Sequence, residues 1–125
     1  MVSNIRNVAF DCAHPYDLAT FWSAVVGHPM NADAVPSDPA VVIEPPGAPR
    51  LYFQAVPEDK IVKNRVHVCL QPSDRTRNSE VDRLLALGAS ILHDHRGTDG
   101  DGFVVLLDPA GNEFCLTASE AERGR

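Results

Sequence analysis

The sequence predicts an α+β domain in which one βαβββ unit is written twice. Three observations carry this. Asn7-Val8-Ala9-Phe10-Asp11-Cys12-Ala13-His14 alternates apolar and polar residues, breaks, and gives way to a helical pattern that ends at Gly27. Asn64-Arg65-Val66-His67-Val68-Cys69-Leu70 does the same and leads to a second helical pattern ending at Gly88. The offsets agree: Asn7 to His67 and His14 to Asp74 are both 60, and Gly27 to Gly88 is 61. A period of two marks a strand with one buried face, and a constant offset marks an internal repeat.

In order, Ile5 to Cys12 reads as the first strand, with Val8 and Phe10 toward a core and Asn7, Ala9 and Asp11 away from it. The helix starts near Pro15, since proline suits the first helical turn. Its apolar stripe is Leu18, Phe21, Trp22, Val25 and Val26, at i, i+3, i+4, i+7 and i+8. That stripe assigns Trp22 to the core, with ligand stacking as the alternative. Met30 to Pro36 reads as a short edge strand, Val41 to Ile43 as a strand, Pro45-Pro46-Gly47 as a turn and Leu51 to Val56 as the closing strand. Residues 57–63 link the repeats and are too short to separate independent domains. The second unit has the strand 64–70, with Val66, Val68 and Leu70 on one face and Arg65, His67 and Cys69 on the other. A helix from about Glu80 to Leu87, a strand pair at 90–95 and 103–107, and a last strand at 113–117 complete it. The chain is one domain, 1–125, with units at about 5–56 and 64–117; 118–125 is polar and expected to fray.

The formal net charge of −6 excludes the basic surface that nucleic acid needs. No apolar run reaches membrane-spanning length and the first residues carry no signal-peptide pattern. Three widely spaced cysteines offer no disulfide framework and suit a reducing compartment. A soluble cytoplasmic protein is expected.

Several segments carry a family likeness: Phe10-Asp11-Cys12-Ala13-His14-Pro15, Phe21-Trp22, Leu51-Tyr52-Phe53-Gln54, Lys63-Asn64-Arg65-Val66-His67 and Asp108-Pro109-Ala110-Gly111-Asn112-Glu113-Phe114-Cys115. From Ile5 to Thr117 the chain resembles the vicinal oxygen chelate superfamily of glyoxalases, bleomycin-resistance proteins and extradiol dioxygenases, and more narrowly a bacterial glyoxalase-like group. The resemblance implies mixed sheets curled around a cleft, and a homodimer. It implies no single activity, because lyases, isomerases, dioxygenases, transferases and non-catalytic binders share the scaffold. It also implies four metal positions, here Asn7, Gln54, His67 and Cys115, where metal-binding relatives would carry His or Gln, Glu, His and Glu. Two neutral amides and a thiol suit a hard divalent ion poorly, so this metal site is expected to be degenerate and no cofactor is expected.

The cleft-facing set is then Tyr52, Gln54, Arg65 and His67, an aromatic ring, an amide and two cationic or neutral donors suited to a small-molecule ligand. Arg65 suits an anionic or carbonyl-bearing ligand; a strand-end tie, or a pair with Asp11 or Glu113, is the alternative. His67 admits a structural role, ligand binding, metal ligation or acid–base catalysis. Cys69 and Cys115 read as buried and inert, with a His67, Cys69, Cys115 zinc set as the other reading. His93 and His95 share a strand face without an identifiable third ligand. Asp99-Gly100-Asp101-Gly102 has the aspartates of a calcium loop without its terminal glutamate and reads as a hairpin turn. Three functions follow: a metal-independent small-molecule binder through Tyr52, Gln54, Arg65 and His67; a metal-dependent lyase, isomerase or dioxygenase at the four metal positions; or a metal-free acid–base enzyme using His67.

Overall fold

The computed structural model describes residues 1–98 and 100–123. Contacts divide it into two compact units, Met1–Lys60 and Ile61–Arg125, and the division falls within the expected linker.

In the first unit, β1 (Asn7–Cys12) leads into α1 (Pro15–Val26), followed by β2 (Ala40–Ile43) and β3 (Arg50–Ala55). The strands form a mixed sheet in the order β1-β3-β2, with β1 parallel to β3 and β2 antiparallel to it. The alternation decides the faces: Phe10, Cys12, Val41, Ile43 and Phe53 are buried, whereas Ala9 and Asp11 are exposed. Leu18, Phe21 and Trp22 of α1 are buried too, as the stripe predicts. The Trp22 ring lies 5.2 Å from Phe10 and meets Phe21 edge-on at 5.5 Å, and Phe10 stacks on Phe53 at 5.0 Å. Each such ring removed from water contributes about 2–3 kcal/mol, which makes this aromatic cluster the principal anchor of α1. Gly27 ends the helix in the left-handed conformation (φ 67°), its N–H donating to the Ser23 carbonyl.

The expected edge strand at 30–36 shrinks to one bridge, Met30 to Ile43. Prolines at 29, 36 and 39 remove ladder donors, and Asn31 takes over the edge. Its N–H donates to the Val42 carbonyl at 2.9 Å, and its side-chain oxygen accepts from the Val42 N–H at 3.0 Å. The first unit therefore has three strands rather than four.

The second unit has β4 (Val68–Leu70), α2 (Arg77–Leu87), β5 (Ser90–Arg96), β6 (Gly102–Leu107), β7 (Glu113–Thr117) and α3 (Glu120–Arg123). Its sheet runs β4-β7-β6-β5, with β4 parallel to β7 and the other pairs antiparallel. Val104, Leu106, Phe114 and Leu116 are buried on one face, and Val81 and Leu84 are the buried apolar residues of α2.

Three expectations are corrected here. The strand 64–70 begins only at Val68, and Val66 is 84% exposed instead of facing the core. Asn64 reaches the end of β7 through side chains: its N–H donates to Glu113 Oε1 and its amide to Asn112 Oδ1. The second helix starts three residues early, because Thr76 is its N-cap and accepts the Ser79 N–H. The expected frayed tail opens with α3, whose Glu122 accepts the backbone N–H groups of Arg77 (2.7 Å) and Ser119 (3.0 Å); residues 124 and 125 lie outside the described residues.

Arg77 is the polar residue that secures this unit. It is 4% exposed, and its guanidinium donates to the carbonyls of Gly97, Asp101 and Gly102 in the β5–β6 connection. That connection reverses as the sequence predicts, with β5 and β6 antiparallel; Asp99 of the calcium-like string lies outside the described residues. Before β7, buried Asp108 accepts the N–H groups of Ala110 and Asn112, both at 2.9 Å, and fixes the turn.

Candidate functional site

Each sheet has one face covered by its helix and one face left open. On the first sheet the register places Asn7 beside Arg50, Ala9 beside Tyr52 and Asp11 beside Gln54, so these six share the open face. Tyr52 and Gln54 are half-buried. The Gln54 amide donates to Asp11 Oδ1 at 2.8 Å, which orients both groups on the face that Tyr52 shares two residues along β3. Asn7 sits four residues along β1 from Asp11, about 13 Å at the rise of a strand. It is therefore not Gln54's neighbour. The first unit does not assemble the two metal positions implied for it.

On the second sheet the chemistry is different. Cys69 of β4 is in register with Cys115 of β7, and His67 precedes β4 with its Nδ1 3.8 Å from Cys115 Sγ. The three donor atoms lie within 4.8 Å of one another. Cys115 is buried, while His67 and Cys69 are exposed, which corrects the expectation that both thiols are buried. Burial, and then the neighbouring Cys69, push the Cys115 thiol above its ordinary value. The third cysteine, Cys12, is buried in the first unit with its sulfur against the Gln54 carbonyl.

Arg65 is exposed in the bend before β4 and forms no ion pair among the described residues; Asp11 takes the Gln54 amide and Glu113 the Asn64 N–H instead. His93 and His95 do share the open face, rings 5.9 Å apart, and His95 lies against Phe103 at 5.0 Å. No third donor joins them among the described residues. Asp11 is the site residue whose role the sequence concealed, since only the β1–β3 register makes it Gln54's partner.

A family model described as a glyoxalase-like domain matches residues 7–117, nearly the whole chain. The chain belongs to the glyoxalase-like domain family. Solved structures place this glyoxalase-like domain in the wider fold family. One is a glyoxalase/bleomycin resistance protein/dioxygenase family enzyme from Burkholderia phytofirmans, 18% identical, with 91% of this chain and 97% of that chain covered and a TM-score of 0.68. Another is a fosfomycin resistance protein, FosX, from Listeria monocytogenes, 14% identical over 98% of this chain and 95% of that one, with a TM-score of 0.71. A glyoxalase-related enzyme from Fulvimarina pelagi is 13% identical over 96% and 90%, with a TM-score of 0.68. No curated protein matches the chain. At these identities the neighbours establish the glyoxalase-like fold of paired mixed sheets and leave the chemistry to the residues of this domain. Among the described residues no helix is long and apolar enough to cross a membrane.

Proposed function

We propose that this glyoxalase-like protein is a cytoplasmic, homodimeric small-molecule binder that works without a hard divalent metal. The observation that carries the reading is the Asp11–Gln54 pair beside Tyr52 on an open sheet face. A carboxylate-oriented amide next to an aromatic ring presents fixed donors and an apolar plane, the usual makings of a ligand surface. Arg65 and His67 supply exposed donors on the second unit, and Arg65, free of an ion pair among the described residues, suits an anionic or carbonyl-bearing ligand. The dimer reading draws on the family likeness and on Ile91 and Leu92, both about 40% exposed on β5, the edge strand of the second sheet.

The Listeria fosfomycin resistance protein was solved with Mn(II) and a dihydroxypropylphosphonic acid. The corresponding positions here do not suit such an ion. Asn7, Gln54, His67 and Cys115 include no carboxylate, and Asn7 is four residues out of register with Gln54. Manganese prefers carboxylate, carbonyl and water oxygens. Acid–base turnover by His67 is the second reading, and it draws on the exposure of that ring.

Thermal-shift measurements in a chelator, with bleomycin and dihydroxypropylphosphonic acid among the small molecules screened, test the proposal. A shift in the wild type that disappears in Tyr52→Ala and Gln54→Ala supports it. No shift with any compound, or equal shifts in the variants, defeats it. Saturable turnover abolished by His67→Ala would move the protein to the second reading.

A further inference from the structure

We infer that His67, Cys69 and Cys115 form a zinc(II) site on the open face of the second sheet, with one coordination position left to solvent. This is not the four-position set implied by the family likeness. It needs neither Asn7 nor Gln54, it adds Cys69, and it lies entirely within one unit.

The geometry is close to that of a bound ion. Zinc holds sulfur at about 2.3 Å and imidazole nitrogen at about 2.0 Å in a tetrahedron, which sets donors about 3.5–3.8 Å apart. His67 Nδ1 is already 3.8 Å from Cys115 Sγ, and all three donors lie within 4.8 Å. Closing the remaining gap takes about 1 Å, and the two residues that would move, His67 and Cys69, are exposed. Neighbouring parallel strands hold the two cysteines in register, so the pair is presented by sheet hydrogen bonds rather than by a mobile loop. Two thiolates balance the charge of the dication, and a neutral imidazole completes a Cys2His set of the kind that leaves a fourth position for water or a ligand atom. Zinc uptake displaces one proton from each thiol to solvent. No other thiol competes, since the third cysteine, Cys12, is buried in the first unit. His93 pairs with Val105, which pairs with Cys115, so it stands two strands away, about 9–10 Å.

This inference does not rest on the ligand reading, because metal binding is scored with no organic molecule present. The full chain, purified reduced and metal-free, is titrated with cobalt(II) as a spectroscopic stand-in and then with zinc. The expected result is one cobalt per chain, an intense thiolate-to-cobalt absorption band, and its displacement by one zinc. Cys69→Ser alters an exposed side chain and is expected to halve the band and weaken zinc at least about 10-fold. Its thermal unfolding is followed to show that the fold is kept. His93→Ala is expected to bind like the wild type. Absence of the thiolate band, or wild-type zinc affinity in Cys69→Ser, overturns the site. So does a reduced protein that takes no zinc while air oxidation consumes two of the three thiols, which would make the pair a disulfide.

Discussion

The two sheets are built alike and finished differently. Each places its last strand parallel to its first, β3 beside β1 and β7 beside β4, with an antiparallel strand outside that pair. Each buries one face under a helix closed by a left-handed glycine. On the open faces, however, one sheet pairs Asp11 with Gln54 and the other pairs Cys69 with Cys115. The shared topology follows from the core-facing alternation, which both repeats keep. The open face is not held by that requirement, so its chemistry has diverged between hydrogen-bonding oxygen and nitrogen groups on one side and sulfur on the other.

The largest effect expected from this comparison lies at the β5–β6 connection, which the first unit lacks. Arg77→Ala removes the donors to three carbonyls at a buried position and is expected to cost about 3 kcal/mol. The corresponding edge in the first unit is held by the exposed Asn31, and Asn31→Ala is expected to cost about 1 kcal/mol through its lost bond to the Val42 N–H. Urea denaturation of both variants measures the difference; equal losses would mean that the two units are secured in the same way.

The helix ends make the opposite prediction, that the repeats behave alike. Gly27 and Gly88 have φ values of 67° and 119°, and an added Cβ meets nothing within 4 Å at Gly27 and only Pro109 Cγ at an ordinary 3.6 Å at Gly88. Gly27→Ala and Gly88→Ala are therefore expected to lose about 1–2 kcal/mol each from backbone conformation alone. A loss at only one of them would break the parallel.

Much of this architecture was legible in the sequence because it is written in local periodicities. Phe10, Phe53, Trp22, Val81 and Leu84 fall on buried faces as their spacing requires, and both glycines stop their helices. What the sequence concealed depends on pairing at a distance. Val66 alternates correctly but faces no strand, since β7 begins at Glu113 and β4 is paired only from Val68. Arg77 falls before the expected helix start near Glu80, and its burial follows only from the hairpin carbonyls 20 to 25 residues away. The site suffers most. The repeat offsets of 60 and 61 suggest nearly equal spacings between paired residues, yet Gln54 follows Asp11 by 43 residues and Cys115 follows Cys69 by 46. The register has slid by two residues between the units. A slide of two keeps every side chain on its own face, so the alternation conceals it while the partners change. For that reason the open-face residues Tyr52, Gln54, Cys69 and Cys115 could be named, whereas the pairing of Asp11 with Gln54 could not.

The smallest expected effect concerns acid stability, followed at two carboxyls of the second unit. Glu122 of α3 accepts the N–H groups of Ser119 and Arg77, which hold its carboxyl below the ordinary 4.5. On the same unit, the Arg96 side chain, followed by the Arg96 backbone N–H, lowers Asp94 to about 2. A carboxyl whose folded pKa is depressed binds fewer protons in the native state than in the unfolded chain. Its contribution is therefore complete above the unfolded value and is lost as pH falls toward the folded one. The second unit should lose stability between about pH 4.5 and the acid extreme through these two groups. Glu122→Gln is expected to flatten the slope over the upper part of that window, and Asp94→Asn the slope from about pH 4 down to about 2. Both carboxylates are at the surface, so raised salt should shrink the Asp94 effect, which rests on a guanidinium, more than the Glu122 effect, which rests first on backbone N–H groups. Urea midpoints from about pH 6 to about 2, at low and high salt, measure this. An unchanged acid slope in Glu122→Gln would mean that α3 stays docked on α2 without its carboxylate.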